Sequence, residues 1–183
     1  MKVLGIDPGS VITGYGLIEE SGRGVFTSIC HGEIRPRAGL PLPERLLALS
    51  EGLEKVIQEH SPDVLSIESI FFAKNAKSSI VLGQARAVPL LLAAKSSMSV
   101  FEYAPRMVKL AITGYGAATK AQVQKMAGSL LNIADMPGPD ASDALALALC
   151  HFFRTADGLD EKPLRRNGKK SWRTFNLQKA GKG

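Results

Sequence analysis

Apolar and polar positions along this chain change period several times, and each change marks an element. Residues 1–7, MKVLGID, form a short apolar strand that runs into Asp-Pro-Gly, a turn signal. Residues 13–20 and 24–34 flank Ser21-Gly22, and this spacing predicts an antiparallel meander. In residues 43–60 the period lengthens. Leu46, Leu49, Leu53 and Val56–Ile57 recur at three and four, with Pro43 placed for a first turn, so an amphipathic helix is predicted. Residues 63–68, DVLSIE, read as a buried strand ending on an acid. Residues 76–97 read as a helix that Pro89 should kink or break. A short strand at Val100–Tyr103 and helices at 105–112, 120–133 and 140–155 complete the chain. The order β-β-β-α-β-α-β-α-α-α predicts an α/β fold: a mixed five-stranded sheet with helices on both faces.

Length and composition narrow the class. At 183 residues the chain suits one compact domain, and its hydrophobic share of 45% suffices for a core. No apolar run reaches the roughly 18–20 residues of a membrane span. The first strand starts at once, with no basic and apolar leader ahead of it. Two cysteines, Cys30 and Cys150, are too few for a disulfide framework or a four-ligand zinc site. A cytoplasmic protein with no membrane partner is expected. Charge is unevenly spread. From Thr155 onward, eight basic residues stand against three acids, so this stretch holds +5 of the formal +6. Residues 1–154 are therefore expected to form the folded domain, and 155–183 a basic, disordered tail, either a solubilising segment or an arm for a polyanion.

Acids are sparse in the apolar elements, and the exceptions stand at element ends. Asp7 ends the first strand, Glu68 ends the fourth, and Asp140 and Asp143 open the last helix on one side of its first turn. Singly, each fits a turn, a strand end or a helix cap. Were the first and fourth strands neighbours, Asp7 and Glu68 would emerge together, and a final helix across that edge would bring the other two. Four converging carboxylates repel without cations. Oxygen ligands favour a hard ion such as Mg2+, and two such ions roughly 3.5–4 Å apart can activate a water and stabilise the leaving oxygen of a phosphodiester.

Four blocks, GIDPGSVITGYGLI, IESIFFAKNAKSSIVLGQARA, VKLAITGYGAATKAQVQKM and PDASDALALALCH, closely resemble the RuvC family of Holliday-junction resolvases from the N-terminus to about Arg154. The resemblance implies a ribonuclease H-like fold, a homodimer, and paired nicking of opposed strands of a four-way DNA junction in recombination and repair. It implies two Mg2+ ions per site, replaceable by Mn2+, held by Asp7, Glu68, Asp140 and Asp143. It places Lys120 near the reaction and Lys109 near the DNA backbone, and it assigns Phe71 to stack on an unpaired base, with Phe72 beside it as the competing choice. Lys74, Lys77 and Arg86 are further phosphate candidates. A junction-binding protein and its helicase motor, which drive branch migration, are the implied protein partners. Ala87 stands where the family usually has Gly, two residues before Pro89.

Two other classes share parts of this pattern. ATP-binding proteins of the actin and sugar-kinase type also begin with a strand ending in an acid and a Gly-rich hairpin. They need a second copy of the fold, for which 183 residues leave no room. A DNA-architectural protein would account for the basic tail and Phe71, but gives no reason for four acids at element ends.

Overall fold

The computed structural model describes residues 1–22, 24–69, 76–156, 158 and 163–164. Five strands and five helices follow the expected order. The strands are β1 (Lys2–Asp7), β2 (Thr13–Gly22), β3 (Val25–Ile34), β4 (Val64–Glu68) and β5 (Ser99–Tyr103). The helices are α1 (Leu42–His60), α2 (Ala76–Lys95), α3 (Pro105–Thr113), α4 (Lys120–Leu131) and α5 (Pro139–Ala156). They build one sheet of order β3-β2-β1-β4-β5. The meander is antiparallel, and β4 and β5 continue parallel to β1, each reached through a helix.

Side chains alternate across the sheet and fill two cores. Leu4, Ile6, Leu17, Leu65 and Ile67 face α1 and α2, where Leu53, Ile57, Leu92 and Ala93 meet them. Val3, Ile18 and Val64 face the other way, onto Val123, Ala127, Leu145, Leu149 and Phe152 of α4 and α5. Most of α5 is buried. It lies against the sheet because Gly5, Gly14 and Gly16 give it room. A Cβ on Gly5 or Gly14 would overlap the carbonyl oxygen of Ala144 or Asp140, and one on Gly16 would stand 2.7 Å from Leu145. Ser66 Oγ of β4 donates to the Leu147 carbonyl at 2.6 Å and ties the two layers together.

Two expectations change. α2 runs through Pro89 without a break. Proline removes one backbone donor, but Ala85, Pro89, Leu92 and Ala93 are buried along the same helix, and this packing holds it across the gap. α5 starts one residue early, at Pro139, so Asp140 lies inside its first turn and is not its cap. Cys30 and Cys150 are both free thiols. No helix among the described residues is long and apolar enough to cross a membrane. The expected tail falls largely outside the described residues. α5 extends to Ala156, and the Leu164 amide donates to the Val100 carbonyl at 2.9 Å, beside β5.

Candidate active site

The parallel pairing of β1 with β4 sets Ile6 opposite Ile67, so the next residues, Asp7 and Glu68, leave the sheet side by side. Across β1, Asp7 is paired with Gly14. Because Gly14 has no side chain, the first turn of α5 rests directly on the strand, and Asp140 and Asp143 arrive beside Asp7. Asp7, Glu68 and Asp143 line one cavity of about 270 Å³ together with Lys109, Lys120 and an apolar wall of Val108, Val123, Ala146 and Leu147. Asp140 stands outside that lining, near enough to act on Asp7 electrostatically.

The electrostatics follow from crowding. Burial is the main cause that pushes the Asp7 carboxyl up to about 7, followed by Asp143, Glu68 and Asp140, while Lys120 opposes them. Glu68 is also raised, by burial and then Asp143, against Arg86 and Lys120. Lys120 Nζ donates to Asp143 Oδ2 at 2.5 Å, and this bond chiefly holds its ammonium above the ordinary lysine range. The N-terminus of α4, where Lys120 sits, is fixed by a Thr119–Gln122 capping box.

The donor set suits a hard divalent cation: three carboxylates share one cavity, and Lys120 and Arg86 offset only part of their mutual repulsion. Among the described residues, no three His, Cys, Asp or Glu side chains already stand at ligand spacing round one point. A cation would have to draw Asp143 away from Lys120 and the carboxylates towards each other.

The remaining expected site residues divide. Lys109 and Lys120 lie at the cavity, and Lys77 is exposed in the first turn of α2. Phe71, Phe72 and Lys74 lie outside the described residues. Arg86 departs from its expected place on a DNA phosphate. It is 4% exposed, its guanidinium donates to the Glu68 backbone carbonyl, and it forms an ion pair with Glu102. A cation so enclosed is spent on the protein itself. Glu102 and the glycines under α5 were not singled out from sequence. Glycines at alternate positions of β2, Gly14 and Gly16, were the available signal, since glycine weakens a strand unless another backbone must come close.

Comparison with known proteins agrees with this geometry. Residues 3–151 match the family profile described as crossover junction endodeoxyribonuclease RuvC. A protein of that name from Caldicellulosiruptor saccharolyticus is 45% identical over 160 residues, covering 87% of this chain and 96% of the relative. Another from Syntrophotalea carbinolica is 47% identical over 151 residues, 82% of this chain and 93% of the relative. Among solved structures, T. thermophilus RuvC in complex with Holliday junction substrate superimposes with a TM-score of 0.84 at 30% identity, covering 90% of this chain and 99% of that one. The sheet order and the helices on its two faces are thus those of a ribonuclease H-like fold, and the chain belongs to the RuvC family of crossover junction endodeoxyribonucleases.

Proposed function

We propose that this protein resolves four-way DNA junctions by paired nicks in opposed strands, with two Mg2+ ions held by Asp7, Glu68, Asp140 and Asp143. The enzyme is a metal-dependent crossover junction endodeoxyribonuclease, as its family is. One observation carries the finer reading: Asp7 and Glu68 end adjacent parallel strands and share a cavity with Asp143 and Lys120. Bound there, the metal would lower the pKa of a water and offset charge on the phosphodiester. The chain's own residues do the rest. Asp7 and Glu68 present oxygens from a rigid sheet, and α5 brings Asp140 and Asp143 from the far side. Lys120 Nζ carries a proton and a positive charge at the cavity, where a phosphate would lie, and Lys109 adds a second positive charge on the same wall. Mn2+ should substitute, since its preferred oxygen ligands are the same.

Phe71 is proposed to stack on an unpaired base, and Lys74 and Lys77 to contact phosphates, which position DNA without reading its sequence. Two nicks in opposed strands need two sites, and the outer face of α2 supports a homodimer. Ile80 and Leu91 are 63% and 69% exposed there, with Gln84 and Ala87 exposed between them at helical spacing. The junction-binding protein and helicase motor of branch migration are proposed as further partners, in the cytoplasm of a bacterial cell.

A labelled four-way junction incubated with Mg2+, Mn2+ or EDTA tests the reading. Symmetric nicks with either metal and none with EDTA are expected. Asp7→Asn, Glu68→Gln, Asp140→Asn and Asp143→Asn should each remove most nicking while junction binding persists, because binding comes mainly from basic residues. Near-normal nicking by Asp7→Asn would overturn the metal assignment.

A further inference from the structure

Arg86 is built into the fold and turned away from solvent. It projects inward from α2, opposite the helix face that carries Leu91, and reaches the point where β4 ends. One of its nitrogens donates to the backbone carbonyl of Glu68, and another pairs with Glu102 Oε1. Glu102 stands beside Ile67 in the parallel β4–β5 ladder, and Tyr103 stands beside Glu68. The guanidinium therefore spans the ends of two adjacent strands from the α2 side. The Ser69 amide, on the same peptide as the Glu68 carbonyl, donates to the Tyr103 carbonyl of β5 at 3.0 Å, so the one peptide joining Glu68 to Ser69 is held at both its oxygen and its nitrogen.

A strand's last carbonyl ordinarily faces water and can tilt with its peptide. Here it meets a planar, permanently charged fork whose second arm is anchored on Glu102. The peptide plane after Glu68 sets the direction in which its side chain leaves the sheet. We propose that Arg86 is a positioning residue for Glu68: by gripping the Glu68 carbonyl, it aims the Glu68 carboxylate at the metal, with Glu102 holding the guanidinium in place. This rests on the metal reading given above. Arg86 is buried and engaged with Glu68 and Glu102, so its substitution should change metal affinity first and stability second.

The test uses the full chain without DNA and Mn2+ as the probe, with bound ion measured from the loss of the free Mn2+ resonance signal. Arg86→Met should weaken Mn2+ binding by about 10-fold, the scale found when groups orienting metal ligands are removed. The Mg2+ concentration for half-maximal nicking should rise in step. Arg86→Lys, which keeps the charge but loses the fork, should fall between Arg86→Met and the parent, and Glu102→Gln should weaken binding less than Arg86→Met. Leu92→Ala is the control. It removes a buried contact from the same helix and lowers the melting temperature, but should leave Mn2+ affinity unchanged. If Arg86→Met cannot be folded, Arg86→Lys and Glu102→Gln decide. Parental Mn2+ affinity in the Arg86 and Glu102 variants, or an equal loss in Leu92→Ala, would overturn the positioning role. Parental affinity in Asp7→Asn would instead overturn the metal reading beneath it.

Discussion

Asp7→Asn should make the metal-free protein more stable while it abolishes nicking. The Asp7 carboxyl binds its proton more tightly in the folded chain than in the unfolded one, its pKa moving from 3.8 to about 7. Folding is therefore favoured where that proton is bound. As pH rises from 3.8 towards about 7, the unfolded chain ionises freely and the folded one does not. Each pH unit in that window removes about 1.4 kcal/mol of stability, and the loss levels off above it. By pH 8 the charged carboxylate costs the metal-free fold ~2–4 kcal/mol, the lower figure allowing for solvent at the half-buried site. Asparagine keeps the shape and removes the charge. For a domain of this size 1 kcal/mol corresponds to about 2–4 °C, so a rise in Tm of roughly 4–16 °C is expected at pH 8 in EDTA. At pH 5.5 the gain should be about half as large, because less of the penalty has developed. Saturating Mg2+ should stabilise the parent and close the gap, since it binds the folded acids. Thermal melts of both proteins at the two pH values, with and without Mg2+, make the measurement. A gain independent of pH, or a lower Tm for Asp7→Asn at pH 8 in EDTA, would refute the reasoning.

Three further outcomes are expected. Gly14→Ala places a methyl group on the Asp140 carbonyl and must lift the first turn of α5. Melting should show a loss of ~1–3 kcal/mol, whereas nicking should fall by on the order of 100-fold, as a 1 Å misplacement at a reacting centre can do. Phe71→Ala should reduce nicking of the junction with little change in Tm; a buried phenylalanine would cost ~3–5 kcal/mol, so a collapsed melt would move the base contact to Phe72. Cutting the chain after Gly158 removes all eight basic residues of the terminal stretch. If about three of them reach phosphates, the slope of log K against log salt should flatten by roughly 0.9 for each, with nicking at saturating protein unchanged. An unchanged slope would reduce that stretch to a solubilising role.

Period and punctuation along the chain were enough to read the elements and their order. Alternation in MKVLGID, the three-and-four spacing of Leu46 to Ile57 and the turn at Asp-Pro-Gly are signals carried by neighbours within one window. The acids were legible for the same reason: Asp7, Glu68, Asp140 and Asp143 each stand where an apolar run stops or starts. What those acids share was decided by contacts between residues far apart in the chain. Parallel pairing of Ile6 with Ile67 puts Asp7 beside Glu68, and the bare backbone of Gly14 lets Asp140 approach over a separation that no local pattern encodes. The cationic residues show the same division. Arg86 and Lys120 are both basic residues on helices, and sequence alone ranks either as a phosphate contact. Packing turns Arg86 inward, onto Glu68 and Glu102, and leaves Lys120 at the cavity with Asp143. Pro89 carries the rule for helix breaking, which the buried face of α2 overrides. A local pattern specifies which conformation a segment prefers. The direction in which a charged side chain leaves the backbone depends on the desolvation and pairing it finds after the layers close, and that exists only in the tertiary structure.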